Sequence, residues 1–243
     1  MESQITISSK SMPLNWTNSR NAAFYRKMPL SYFKGKAIEG GLDDNCDIKT
    51  IISYIARAKS ILELGAGYGR VLDYIIKSGF KGELFAVERE PKLCKILKKR
   101  FKKTCIFCDD IRTVKFNKKF DLIIWLWTGL WEFSKVEQLP ILTHIVSHLN
   151  NDGFLVLDLI PITCKTIRAV NIDKNNRIIT TPYGNDYTYT PSHAEIKNYA
   201  RRLKLKNHTI TYKTKTGKKR ILYIFCKVTN SYATSKKRAI SRK

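Results

Sequence analysis

Apolar positions along the chain fall into two alternating patterns. Short runs at 61–64, 83–88, 105–108, 120–127 and 154–160 are nearly unbroken, as strands buried on both faces are. Between them, apolar residues recur three and four apart. Ile48, Ile51, Ile52 and Ile55 form one stripe within a helix expected over 44–57, with Asp47 as its N-cap. Val71, Leu72, Ile75 and Ile76 form a second stripe. Leu93, Ile96, Leu97 and Phe101 form a third behind Pro91, a residue suited to the first helical position. A further helix is expected over 139–149, then a turn at 150–153. Ser192 with Glu195 reads as a capping box that opens a helix to about 205. The runs 208–215 and 219–228 close the pattern as a hairpin around Thr216 and Gly217. Strands alternating with helices predict a three-layer αβα, doubly wound and mostly parallel sheet, here with a C-terminal antiparallel hairpin. Residues 161–191 interrupt this order as an insertion, with 166–172 and 177–181 read as a hairpin inside it.

Chemistry enters at residues 60–70, SILELGAGYGR. A strand runs into a glycine turn and then a helix, which offers unpaired N–H groups to a ligand. The dinucleotide fingerprint G-x-G-x-x-G does not fit, because the third glycine comes one residue early and Arg70 takes its place. Glu63-x-Gly65-x-Gly67-x-Gly69 instead resembles motif I of class I (seven-stranded, Rossmann-like) S-adenosylmethionine-dependent methyltransferases. The order of elements from about 44 to 228 is similar to that family's fold. Acids follow at the next two strand ends, Glu88 and then Asp109 with Asp110. In an open α/β sheet these ends face the ligand.

The resemblance implies S-adenosylmethionine as cofactor, set among Glu63, Gly65, Ala66, Gly67, Gly69, Glu88, Arg89, Asp109, Asp110, Ile111 and Trp127. Glu88 can accept from both ribose hydroxyls. Asp110 is aligned with the adenine amino group through the family's D-A-x-x-L-x-F pattern, although Asp109 and Asp110 can exchange roles. Residues 120–131 resemble motif IV, with Asp121 as a structural position. Its far end faces the methyl group, so Trp127, Trp131 and Glu132 are the candidate catalytic residues. Glu132 or a tyrosine of the insertion (Tyr183, Tyr187 or Tyr189) is the candidate base, and the insertion is expected to cover the acceptor.

The implied activity is methyl transfer to a small molecule or a protein side chain. The Asn/Asp-Pro-Pro-Tyr run and the Pro-Cys nucleophile of nucleobase methylation are absent. An RNA methyltransferase and a non-catalytic S-adenosylmethionine-binding regulator stay open beside it, with a nicotinamide dehydrogenase a distant third. Charge keeps the RNA reading alive. The chain of 243 residues carries 45 Lys and Arg against 20 Asp and Glu, and after Glu195 no acid occurs. The basic hairpin and helix are expected to merge into one patch that binds nucleic acid without sequence preference.

The divisions are therefore 1–43, an N-terminal extension or lid; 44–228, the methyltransferase domain; and 229–243, a basic tail. The lid segment 21–34, broken at Pro29, is read either as a flap over the site or as a helix packed on the sheet. No apolar run is long enough to span a membrane. Six scattered cysteines suggest free thiols and a cytoplasmic protein, with Cys105 and Cys108 a buried pair. His144 and His148 lie one helical turn apart without a third ligand, so no metal is expected.

Overall fold

The structure, a computed structural model, describes residues 18–164 and 169–227. The N-terminal stretch before Asn18, part of the hairpin expected at 166–172 and the basic tail lie outside these residues. Helices α1 (Ser19–Lys27) and α2 (Leu30–Gly40) come first, separated by Pro29. Short helices α3 (Cys46–Thr50) and α4 (Ile52–Arg57) lead into β1 (Ser60–Leu64). Then come α5 (Arg70–Lys77), β2 (Glu83–Glu88), α6 (Pro91–Arg100), β3 (Cys105–Cys108) and β4 (Phe120–Trp125). A 3-10 turn at Gly129–Glu132, α7 (Lys135–Ser147) and β5 (Leu149–Leu159) follow. Three insertion strands, β6 (Ala169–Asn171), β7 (Asn176–Thr181) and β8 (Gly184–Tyr189), precede α8 (His193–Arg202), β9 (Leu205–Lys213) and β10 (Lys219–Lys227).

The main sheet runs β3-β2-β1-β4-β5-β10-β9. Its first five strands are parallel, and β10 lies antiparallel to both neighbours. Each face carries its own core. Leu62, Ile123 and Leu157 pack with Ile141 and Ile145 of α7 on one side. Ile61, Ile124 and Val156 pack with Ile51, Leu72 and Leu97 on the other. The strand order reverses between β1 and β4, which opens the ligand crevice at their carboxyl ends. The expected doubly wound fold with a closing antiparallel hairpin is what the chain forms.

Several local expectations need correction. The helix over 44–57 is split at Ile51, and Asn45, not Asp47, caps it, in the left-handed region. Asp47 is turned inward because Arg70 is buried and needs a counter-charge: its carboxylate takes Arg70 Nη1 and Nη2 at 2.8 and 2.5 Å. The helix placed at 139–149 begins at Lys135, where Ser134 and Glu137 make a capping box, and it tolerates Pro140 inside. The turn expected at 150–153 is part of β5, with a register shift opposite Phe120 and Leu122 absorbing the irregularity. The strand placed at 120–127 stops at Trp125, because Trp127 and Thr128 adopt left-handed backbone. In the insertion, the expected hairpin forms between β6 and β7, and β8 adds a third strand on the other edge of β7.

The cysteines are not all free thiols. Cys94 of α6 is disulfide-bonded to Cys108, with the Cα atoms 5.7 Å apart. Cys105 and Cys108 are exposed, not buried, since β3 is an edge strand. The basic hairpin is also less open than its sequence implies, because acids from distant segments offset it. Arg220 is buried against Asp158, Lys215 pairs with Asp43 at 3.1 Å, and Lys218 Nζ donates to the Glu39 carbonyl at 2.9 Å. Among the described residues no helix is long and apolar enough to cross a membrane.

Candidate functional site

A cavity of about 330 Å3 lies over the carboxyl ends of β1, β2 and β4. Its floor is the glycine turn. Gly65 and Gly67 have φ of 66° and 56°, which L side chains rarely adopt. A Cβ on Gly67 would meet nothing nearer than the Gly65 carbonyl at 3.9 Å, so the space above this backbone is open to a ligand. Glu88 closes the turn: its carboxylate accepts the Gly67 N–H at 2.7 Å and the Glu90 N–H at 2.8 Å. Burial raises the Glu88 pKa, against these two hydrogen bonds. Glu63 is 4% exposed, and its Oε2 has no hydrogen-bond partner among the described residues. Burial pushes its carboxyl well above the usual range, opposed by the Arg70 charge. The unpartnered oxygen beside the open glycine cradle can receive a polar group.

Asp110 and Ile111 extend the floor at the end of β3. Arg112 grips Asp110 with Nε and Nη2 at 2.9 and 2.7 Å. Burial resists ionisation of Asp110, but these bonds hold its pKa below the ordinary value. Asp109 is exposed, outside the lining, and bonded to the Asp110 N–H, which favours Asp110 as the ligand-facing acid. Gly69 also lies outside the lining. A Cβ there would strike Phe101 Cε2 at 2.5 Å and Leu97 Cδ2 at 2.8 Å, so this glycine serves the packing of α6 against the turn.

The far wall begins where β4 ends. Trp127 and Thr128 are consecutive non-glycine residues with φ of 54° and 59°. Such a pair is strained and needs an external hold, roughly 1–2 kcal/mol per residue. Asp158 provides it. Its Oδ2 accepts the Trp127 N–H at 2.9 Å and its backbone carbonyl accepts the Thr128 N–H at 3.0 Å. Arg220 Nη2 holds the same Oδ2 at 2.7 Å, and Tyr212 donates to Oδ1 at 3.1 Å. Trp127, Trp131 and Glu132 all line the cavity, as the sequence led us to expect.

The roof comes from α1 and the insertion sheet. Asn21 is fully buried and spans three segments: Nδ2 donates to the Tyr187 and Glu132 carbonyls at 2.8 and 3.1 Å, and Oδ1 accepts the Tyr187 N–H at 2.9 Å. Phe24, Met28 and Phe33 pack with Leu93 of α6, so α1 and α2 lean on the edge of the site and not on a sheet face. Tyr183, Tyr187 and Tyr189 do not line the cavity, contrary to expectation. Tyr183 packs edge-on against Tyr32, and Tyr189 is hydrogen-bonded to Glu195. The insertion contributes Ile179, Thr181 and the buried Asp186 instead.

Sequence reasoning missed Tyr25 and Asp186. The Tyr25 hydroxyl donates to Glu132 Oε1. Asp186 is 6% exposed, and its Oδ1 has no hydrogen-bond partner among the described residues. Burial pushes the Glu132 carboxyl up to about 7, although Tyr25 and Arg89 act the other way. Burial, reinforced by the Glu132 charge, pushes Asp186 well above the carboxylate range. An acid inside a strand of polar residues carries no signal in one sequence. His144 of α7 and His148 at its C-cap lie outside the cavity lining, and His144 Nε2 is 2.9 Å from the Val114 carbonyl.

Comparison with known proteins agrees with this geometry. Residues 61–153 match the family model described as "Methyltransferase domain". No curated protein sequence matches significantly. Among solved structures, the 1,6-didemethyltoxoflavin-N1-methyltransferase of Burkholderia thailandensis, with bound 1,6-didemethyltoxoflavin and S-adenosylhomocysteine, superposes with a TM-score of 0.66 at 15% identity, over 90% of this chain and 93% of that one. DesVI of Streptomyces venezuelae gives 0.63 at 14%, over 81% and 95%. An S-adenosylmethionine-dependent methyltransferase of Clostridium acetobutylicum gives 0.60 at 14%, over 87% and 99%. The resemblance read from the glycine turn thus holds: residues 61–153 match a methyltransferase domain, and the chain has the class I methyltransferase fold.

The cradle makes one firm expectation. Gly67→Val places a branched side chain in the open space and in left-handed backbone. The thermal stabilisation given by S-adenosylhomocysteine, which arises by mass action, should vanish. A shift equal to wild type would exclude the glycine turn as the ligand floor.

Proposed function

We propose that the protein is an S-adenosylmethionine-dependent methyltransferase whose acceptor is a small organic molecule. The observation that carries this reading is the roof. Helix α1 and strand β8 are tied together through Asn21 above the strand ends, so the acceptor side is a partly roofed, mostly apolar chamber. Such chambers suit small ligands. Proteins of similar fold include a 1,6-didemethyltoxoflavin-N1-methyltransferase and a glycopeptide N-methyltransferase.

The residues present fit the cofactor. Glu63 offers a carboxylate oxygen, unpartnered among the described residues, where an ammonium group can be received. Gly65 and Gly67 leave room for close approach to the backbone. Glu88 retains lone pairs for ribose hydroxyls beyond the two N–H bonds it already accepts. Asp110 stands at the next strand end for an amino group. Bound there, the cofactor supplies a sulfonium methyl group, an electrophile that needs alignment more than activation. Trp127 and Trp131 exclude water from the methyl side and offer ring faces to a cation. Sequence-independent RNA contact through the remaining exposed lysines of α8 and β9 is compatible with this activity, since phosphate contact carries no substrate information.

The test is transfer of labelled methyl groups to fractionated cell extract. Label should enter the small-molecule fraction. Label confined to RNA would favour the RNA methyltransferase, and cofactor binding with no labelled fraction would favour a regulatory binding protein.

A further inference from the structure

Two acids share the acceptor chamber with no cation assigned to them. Glu132 ends the 3-10 turn after β4, Asp186 lies on β8, and Asn21 ties that turn to that strand, so the two acids line one cavity from adjacent elements. Asp186 Oδ1 is buried and has no hydrogen-bond partner among the described residues. The groups facing this pair from the surrounding elements are Tyr25 from α1, Glu88 at the end of β2 and Arg89 just after it. Arg89 is the cation among these groups; its charge favours ionised Glu132, but its hydrogen bond and ion pairs go to other residues. It donates to Asn18 Oδ1 and lies 3.7 Å from Glu90 and 4.0 Å from Asp110. Tyr25 satisfies one oxygen of Glu132 and none of Asp186. A buried acid without a partner costs stability, so the chamber is incomplete until a donor with positive charge enters.

Building on the methyltransferase reading above, we propose that the acceptor is a protonated primary or secondary amine, bound between Glu132 and Asp186, with Glu132 as the group that takes its proton. The shape of the pair selects this chemistry. A hydroxyl acceptor has one O–H and no charge, so it cannot serve both acids once they ionise. An ammonium nitrogen carries two or three N–H groups and a positive charge, so it donates to both acids and favours their ionised forms. Phe24, Phe33, Trp127 and Trp131 line the same chamber and suit an apolar body attached to that nitrogen.

The step balances as follows. Glu132 Oε takes one proton from the ammonium and becomes a carboxylic acid. The freed nitrogen lone pair forms the N–C bond to the methyl carbon while the C–S bond breaks, and its electron pair stays on sulfur. The nitrogen, now methylated, carries the positive charge, Asp186 remains its partner, and the Glu132 proton leaves to solvent with the product. One methyl cation is transferred and one proton is released per turnover.

The experiment is calorimetric titration of a panel of arylalkyl and aliphatic amines, each paired with the alcohol of the same carbon skeleton, into protein saturated with S-adenosylhomocysteine. Amines should bind at least on the order of tenfold more tightly than their alcohols. Because the cation favours the ionised acids, binding at neutral pH should release protons, read from the dependence of heat on buffer ionisation. Asp186→Asn and Glu132→Gln, near-isosteric changes, should each reduce the amine-over-alcohol preference and the proton release while leaving S-adenosylhomocysteine affinity as it was. If alcohols match their amines throughout the panel, or if both variants retain the preference, the amine assignment is wrong. Failure of S-adenosylhomocysteine itself to bind would instead strike the methyltransferase reading, so the two failures are distinguishable.

Discussion

Asp158→Ala is expected to be the most destabilising of the changes considered, at about 3–5 kcal/mol. The side chain of Asp158 is fully buried and that of Arg220 is 7% exposed, so removing the acid strands a guanidinium in the core. The same change releases the Trp127 N–H and the Tyr212 hydroxyl from their acceptor. Denaturant unfolding should show a lower midpoint at an unchanged slope. Replacing both partners by apolar residues should restore much of the loss, because the penalty comes from the stranded charge. Near wild-type stability in the single variant would mean that the Asp158–Arg220 pair does not brace the left-handed bend at Trp127 and Thr128.

Glu132→Gln is expected to have the largest effect on turnover. A positioned base contributes on the order of 10²–10⁴-fold, and the amide cannot accept the proton. The wild-type pH profile follows from the same group. Burial raises the Glu132 pKa to about 7, so below that value the carboxyl is protonated and cannot serve. kcat/KM should therefore rise as pH passes upward through about 7 and then level off, whereas the Gln variant should show no such limb. Equal rates for the two proteins would remove Glu132 from the reaction and leave it a structural partner of Tyr25.

The layout of the fold was legible because its strands are buried on both faces. Runs such as 61–64 and 120–125 have no polar face to confuse the period. Ser192 with Glu195, and Pro91 at the start of α6, are side-chain signals that act within one turn, and both stand where expected. The cavity floor proposed for the cofactor was legible for a related reason. Glu63, Gly65, Gly67, Glu88 and Asp110 sit at strand ends whose order follows from the alternation of elements. The acceptor half was not. Tyr25 and Glu132 are 107 positions apart and meet only because Asn21 pins α1 to β8. Asp186 lies in a strand whose sequence, GNDYTY, is polar and reads as loop. Asp47 looked like a cap because its partner, Arg70, lies 23 residues ahead. The aromatic character of Tyr183, Tyr187 and Tyr189 suggested the chamber, yet these rings brace the roof from outside. Local chemistry is readable from neighbours, whereas pairings across the chain require the fold.

The central claim is that the glycine turn and the acid ends of β1 and β2 form an S-adenosylmethionine site. Titration calorimetry with S-adenosylhomocysteine and, separately, with NAD tests it most directly, in wild-type protein and in Glu88→Ala. The account requires saturable one-to-one binding of S-adenosylhomocysteine, none of NAD, and at least a tenfold loss in Glu88→Ala, about 1.4 kcal/mol or more, from charge-assisted hydrogen bonds worth roughly 1.5–3 kcal/mol each. Binding of NAD in place of S-adenosylhomocysteine, or equal affinity in the two proteins, would contradict it.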